Sequence, residues 1–264
     1  LEKGGKILFE TCNLDSEKII VAGISGGADS VALLDMLVKL DFRVCAAHLN
    51  HQLRPTAARD ADFVKKIARQ YGLEYVSGEV DVNQQAEERG EGIEEAARNA
   101  RYKFLFDTAE RKKAAAVLTA HQADDQVETI LHNILRGTGL NGLAAMQPCA
   151  LSAYHKKIPL VRPLLECWRE EILDYCSQEN LEFVTDESNK DTKYRRNRIR
   201  LELIPELQNY NPQIKKALLR MGEIIKTDKE FLDAYLQEIL AGEVVIFREN
   251  SARIVVQKFK QFSL

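Results

Sequence analysis

Three stretches of the chain carry side chains whose types and spacing can do chemistry. The first is Ser25-Gly26-Gly27-Ala28-Asp29-Ser30, which follows an apolar run and precedes residues with apolar side chains at helical spacing. A strand, a glycine turn and a helix start together make an anion site. N–H groups of the first helical turn lack intrahelical partners, and the helix dipole favours negative charge there. Gly26 and Gly27 permit close backbone approach, while Ser25 and Ser30 add hydroxyl donors. Asp29 can cap the helix, or hold a magnesium ion that bridges phosphate oxygens. A plain turn with Asp or Ser capping the helix is the structural alternative. The pattern G-x-x-x-x-G-K-[ST] is absent. The G-x-G-x-x-G at Gly137 to Gly142 follows a helix rather than a strand, so it reads as a helix-terminating loop.

The second stretch is His121-Gln122-Ala123-Asp124-Asp125-Gln126-Val127-Glu128. Asp124, Asp125 and Glu128 share one helical face, where they can hold a cationic amine, accept its proton or help to bind magnesium. Acids at a helix start also complement the dipole, which is the competing explanation. The third is Tyr194-Arg195-Arg196-Asn197-Arg198-Ile199-Arg200, joined by Lys193 and preceded by Asp186-Glu187-Ser188-Asn189. Arginine pairs with phosphate in a bidentate fashion, so a local patch of this kind can engage RNA even in an acidic chain. A solvated helix face is the bland reading. Arg98 and Arg101 lie on one face of a further helix and can reach phosphate oxygens or a nucleic-acid backbone. On spacing alone, an exposed face with ion pairs of Arg98 with Glu94 or Glu95 is the favoured reading.

These residues need elements to position them. Strand-like runs at Lys18–Ile24, Phe42–Leu49, Glu74–Val80 and Ala114–Ala120 alternate with helical patterns at Asp29–Leu40, Ala57–Tyr71, Gly92–Arg111 and Asp124–Arg136. Such alternation predicts an α/β, Rossmann-like parallel sheet with helices on both faces, and ligands at the carboxyl ends of its strands. His48 and Asn50, at the end of the second strand, can border a nucleoside there; a packed strand-end histidine explains His48 equally well. A hairpin is expected around His155-Lys156-Lys157, then a helix at Trp168–Glu179 and a strand-like stretch at Glu243–Val256. We expect a catalytic domain over 1–207 and a smaller, mainly helical substrate-recognition domain over 208–264, with the break between about Pro205 and Pro212.

Bulk composition is that of a globular protein: 264 residues, 45% hydrophobic and 29% charged. The net charge of −3 opposes nucleic-acid binding only if charge is evenly spread, and it is not. Five scattered cysteines form no C-x-x-C pair and no metal spacing, and the N-terminus has no signal-peptide core. A cytoplasmic location with reduced thiols and no membrane partner is expected.

The string Ser25-Gly26-Gly27-Ala28-Asp29-Ser30 after an apolar strand resembles the PP-loop of the ATP pyrophosphatases, which split ATP between its α and β phosphates. With the acidic cluster and the arginine stretch come His48-Leu49-Asn50-His51-Gln52-Leu53-Arg54, Leu135-Arg136-Gly137-Thr138-Gly139 and Pro159-Leu160-Val161-Arg162-Pro163. In this order, from about Lys18 to Pro205, they resemble the tRNA(Ile)-lysidine synthetase family. The resemblance implies the PP-loop ATPase fold and an ATP- and Mg2+-dependent ligase. Such a ligase joins L-lysine to the wobble cytidine of a minor isoleucine tRNA through an adenylated intermediate. It further implies that Ser25, Gly26, Gly27, Ala28, Asp29, Ser30, His48, Asn50 and Arg98 bind ATP, with Asp29 on the metal. Catalysis then falls to Asp29, Asp124, Asp125 and Glu128, and tRNA binding to Arg101, Arg195, Arg196, Arg198 and Arg200. A homodimer is common in the family. Its further C-terminal domain is expected to have no counterpart before Leu264. The alternatives are another PP-loop tRNA-modifying enzyme, such as a thiolase, and a non-catalytic nucleotide- or RNA-binding module. Paired cysteines would favour the thiolase, whereas carboxylates set near phosphate disfavour a pure RNA binder.

Overall fold

A computed structural model describes residues 2–53, 57–185, 195–239, 245–248 and 251–254. Arg54, Asp186-Glu187-Ser188-Asn189, Lys193 and Tyr194, singled out above, lie outside the described residues. Helix α1 (Glu2–Lys6) runs into a π-helical turn, Ile7–Thr11. Then follow β1 (Ile19–Gly23), α2 (Ala28–Lys39), β2 (Arg43–Asn50), α3 (Ala57–Gln70) and β3 (Glu74–Glu79). Helices α4 (Val82–Arg89) and α5 (Ile93–Lys112) lead to β4 (Ala116–Leu118) and α6 (Ala123–Leu135). After α7 (Leu140–Leu143) come β5 (Cys149–Ser152), β6 (His155–Val161) and α8 (Arg169–Gln178). Next are α9 (Arg195–Arg198), a second π-helical turn (Ile199–Leu203), α10 (Ile204–Tyr210) and α11 (Ile214–Ile239). Strands β7 (Val245–Arg248) and β8 (Ser251–Ile254) close the series as an antiparallel pair.

The sheet has the order β3-β2-β1-β4-β6-β5. All neighbours are parallel except β5 and β6, so the hairpin predicted near His155 forms the antiparallel edge. Its turn falls one step earlier than expected, at Ala153 and Tyr154, and His155 to Lys157 already belong to β6. The register pairs Ile20 with Val44, Val21 with Cys45 and Ala22 with Ala46. Because successive side chains point to opposite faces, these apolar strands feed two cores. Ile20, Ala22, Val44 and Ala46 pack with Leu33, Leu34 and Leu37 of α2, Val64 of α3 and Ile172 of α8. Val21, Cys45 and Ala47 pack with Tyr102, Leu105 and Phe106 of α5. The α/β class with helices on both faces is as the alternation predicts.

The chain divides into two compact units, Leu1–Glu128 with Met146–Leu203, and Thr129–Ala145 with Ile204–Leu264. The first contains the whole six-stranded sheet. In the second, Gly222 of α11 lies flat against Ile130 and Ala145, where an added Cβ would come within 3.0 Å of Ile130. Among the described residues, no helix is long and apolar enough to cross a membrane.

Position of the site follows from strand order. The chain leaves β1 for β2 and β3 on one side, then returns to place β4 on the other. At that reversal the loops after β1 and β4 part, which opens a crevice at their carboxyl ends. Helix α2 is held beneath it by Leu33, which is fully buried. We predict that Leu33→Ala costs about 2–5 kcal/mol of stability by leaving a cavity. Urea denaturation checks this, and an unchanged midpoint would contradict the packing described.

Candidate active site

The turn between β1 and α2 is built around one hydroxyl. Ser30 Oγ accepts hydrogen bonds from the N–H groups of Ser25 (3.2 Å) and Gly26 (3.1 Å). It donates to the Gly27 carbonyl at 2.9 Å, and Ser25 Oγ lies 3.2 Å away. Gly26 takes a positive φ of 90°, and an added Cβ would meet Phe63 of α3 at 3.3 Å. That position therefore favours glycine on two grounds, backbone strain and space. The turn is tied down further by the Val184 N–H, which donates to Gly26 O at 2.9 Å. Gly27 is the N-cap of α2, so the first-turn N–H groups and the dipole of a twelve-residue helix converge here.

Asp29 sits in the first turn of α2 with its two carboxylate oxygens in different situations. Oδ2 accepts from Arg169 Nη1 at 3.2 Å, whereas Oδ1 is buried with no hydrogen-bond partner among the described residues. Burial pushes its carboxyl above the ordinary range; Arg169 opposes that, and Asp125 and Asp124 reinforce it.

The acids of α6 divide their work. Asp125 Oδ2 accepts from the Gln122 N–H at 3.0 Å, and so holds the start of its own helix. Asp124 Oδ2 accepts from the main-chain N–H of Arg169 at 3.0 Å, and so caps α8. Glu128 and Asp125 share Arg196. Its Nε donates to Glu128 Oε2 at 2.7 Å and its Nη2 to Asp125 Oδ1 at 2.8 Å. Arg200 approaches the other Glu128 oxygen at 4.0 Å. Burial raises the Glu128 carboxyl against the pull of Arg196. Burial also works against the charge of Arg196, but Asp125 and Glu128 more than offset it and hold the guanidinium above its ordinary range.

A cavity of about 420 Å³ opens at this place, lined by Ser25, Gly27, Asp29 and Ser30 on one side and by Asp125 and Arg196 on another. His48 and Asn50 at the end of β2 also line it, as do Arg101, Thr119 and His121. His48 Nδ1 lies 2.8 Å from the Ile24 carbonyl, which fixes its ring. Arg101 Nε is buried without a hydrogen-bond partner among the described residues. Burial drives His121 well below the usual histidine range, and the guanidinium charges of Arg101, Arg162, Arg196 and Arg98 push the same way. A neutral histidine amid four guanidiniums marks a region of positive potential suited to an anion. Anion-binding turn, acid and buried cation thus face one space.

Not every residue named from the sequence reaches the cavity. Asp124, Glu128, Arg98, Gly26, Ala28 and Arg200 do not line it, and Arg98 lies over the Tyr102 ring at 4.9 Å. Arg195 and Arg198 are exposed on α9, where Arg198 pairs with Glu202 at 2.9 Å. Sequence reasoning passed over Arg169 and Asp60, and quoted Arg162 only within the Pro159 to Pro163 stretch, with no role of its own. Arg162 donates to the Gln147 carbonyl at 2.8 Å, and its Nε is buried without a hydrogen-bond partner among the described residues. Asp60 of α3 lines the cavity with a buried, unpartnered Oδ1 among the described residues. Arg169 and Asp60 belong to no recognisable spacing, so only three-dimensional proximity reveals them.

Comparison with known proteins comes to the same place. A family model described as the PP-loop domain matches residues 5–207. The chain is 41% identical over 237 residues to tRNA(Ile)-lysidine synthase of Geobacter sulfurreducens, covering 88% of this chain and 49% of that protein. It is 40% identical over 224 residues to the protein of that name from Clostridium acetobutylicum, covering 83% and 47%. For the one from Thermotoga sp. the identity is 35% over 239 residues, covering 89% and 56%. The chain thus spans about half the length of the curated relatives it matches. Among solved structures, the U34-tRNA thiolase NcsA from Methanococcus maripaludis, with its 4Fe-4S cluster, shares the fold. Its TM-score is 0.68 at 17% identity, over 85% of this chain and 79% of that one.

The neutral state of His121 gives a signed prediction. Its proton is excluded in the folded protein but taken up by the unfolded chain below about pH 6.5, so stability falls as pH drops through that window. The loss from this group is up to about 1.4 kcal/mol per pH unit. His121→Gln should flatten the melting profile between about pH 5 and 6.5 relative to the native chain. Parallel profiles would contradict the lowered histidine.

Proposed function

We propose, from the premise that the chain belongs to the PP-loop domain family, that it ligates L-lysine to the wobble cytidine of a minor isoleucine tRNA, converting ATP to AMP and pyrophosphate. The observation that carries this reading is the single cavity joining the Ser25–Ser30 turn to Asp125 and Arg101. Relatives named tRNA(Ile)-lysidine synthase support the choice of substrate.

The β and γ phosphates of ATP rest on the turn, on the main-chain N–H groups of Ala28 and Asp29 at the start of α2 and on the Ser25 hydroxyl, while the Ser30 hydroxyl holds the turn in shape. Arg101, which lines the cavity, and Arg98, which does not, balance phosphate charge. His48 and Asn50 border the nucleoside. Asp29 fits a magnesium ion, because its buried Oδ1 has no other partner among the described residues. Magnesium takes one or two carboxylates and keeps phosphate oxygens and water for the rest of its shell. Such an ion would neutralise charge on the phosphates as the α–β bond breaks.

The cytidine O2 attacks the α-phosphorus and pyrophosphate leaves. The ε-amine of lysine then attacks ring carbon 2, and AMP leaves. Free lysine is an ammonium ion at neutral pH, so it must lose a proton before it can attack. Asp125 is the acid of α6 that lines the cavity, so it orients that ammonium and takes the proton. Asp124 and Glu128 serve from behind, one by holding α8 and the other by fixing Arg196 beside Asp125. Exposed Arg195 and Arg198 and half-buried Arg200 engage the tRNA backbone. ATP and unmodified tRNA meet in the cytoplasm, where we place the reaction.

Labelled lysine, ATP and unmodified isoleucine tRNA, incubated with the chain, should put label into the tRNA. Labelled sulfur and glutamine should not transfer. Asp29→Ala should abolish lysine-dependent AMP formation. Asp125→Asn should lower it at least about 100-fold while ATP still binds, in line with loss of a general base. Full activity in Asp29→Ala, or label from sulfur alone, would overturn the reading.

A further inference from the structure

Arg169 links two acids that belong to different elements. It is the first residue of α8, and its guanidinium and its main-chain N–H point to separate carboxylates. Nη1 lies 3.2 Å from Asp29 Oδ2, and the N–H donates to Asp124 Oδ2 at 3.0 Å. The residue is 140 positions from Asp29 and 45 from Asp124, so no local rule sets this junction.

The backbone of Arg169 is well anchored. Glu171 Oε2 accepts from the preceding Trp168 N–H at 2.6 Å. Ile172 and Cys176 of the same helix are buried in the core that also packs α2. Cys176 Sγ reaches the Ala28 carbonyl, next to Asp29, at 3.7 Å. The N-terminus of α8 is therefore fixed relative to the turn, and the Arg169 fork approaches Asp29 from a set direction.

We propose that Arg169 is a positioning residue that presents Asp29 to the cation accompanying the nucleotide; this rests on the phosphate-site reading above. A bidentate pair would spend both Asp29 oxygens on the guanidinium. Here the arginine holds one oxygen only, so the carboxylate cannot rotate freely and Oδ1 keeps its coordinating capacity. Through its N–H the same residue sets Asp124, so the distance between the turn and the start of α6 is governed from α8. Such outer partners orient metal-binding carboxylates without touching the ion.

Arg169→Met and Arg169→Lys in the whole chain test this, with thermal melting to check the fold. The Arg169 side chain is 34% exposed, so its removal leaves no sealed void. The main readout is Mn2+ affinity in the presence of a non-hydrolysable ATP analogue, followed by electron paramagnetic resonance of free Mn2+. Analogue binding without metal is measured alongside. Arg169→Met should weaken Mn2+ binding about tenfold while metal-free analogue binding changes less than about twofold, and Arg169→Lys should recover most of the loss. Mn2+ affinity within about twofold of native in Arg169→Met, or an equal loss of metal-free binding, would overturn the proposal. Failure of the native chain to bind the analogue in any condition would instead overturn the phosphate-site reading beneath it.

Discussion

Charge placed in a partly buried crevice must be paired, because an ion stripped of water costs far more than any single contact returns. This constraint organises the region around β1 and β4. Asp29 is answered by Arg169, and Glu128 and Asp125 by Arg196. What stays unbalanced is then informative. One oxygen of Asp29 and the Nε of Arg101 are buried without hydrogen-bond partners among the described residues. An acceptor and a donor left over at one cavity are what a cation and a polyphosphate would together satisfy.

The sheet supplies the rigid frame for this arrangement. Strand β4 and the middle of β1, both buried, fix where their loops emerge, and the two cores on opposite faces hold α2, α5 and α8 in place. Ser30 then sets the turn through three hydrogen bonds of its own hydroxyl. Each level leaves the next little freedom, so Asp125 of α6 and the turn after β1 come to line one cavity.

Features that depend on neighbours in the chain were legible from the residues alone. The glycine turn and the alternation of strands with helices both follow from local spacing. The π-helical turn Ile7–Thr11 and helix α4 were not foreseen; α4 buries only Val82 and Ala86, too few for a clear period. Long-range ion pairs were the larger gap. The arginine stretch at Arg195–Arg200 reads as one positive patch, yet Arg196 turns inward to acids 68 and 71 residues away while Arg195 and Arg198 stay exposed. Periodicity on so short a segment cannot say which arginine faces in. Arg169 was hidden for the same reason: its partners lie on other elements.

The central claim is that this cavity adenylates an RNA base before lysine enters the reaction. Exchange of radiolabelled pyrophosphate into ATP, measured with tRNA or lysine supplied separately, tests it most directly. The account predicts exchange that requires unmodified isoleucine tRNA, proceeds without lysine and disappears in Asp29→Ala. Exchange driven by lysine alone, or ADP and phosphate as the products in place of AMP and pyrophosphate, would contradict it.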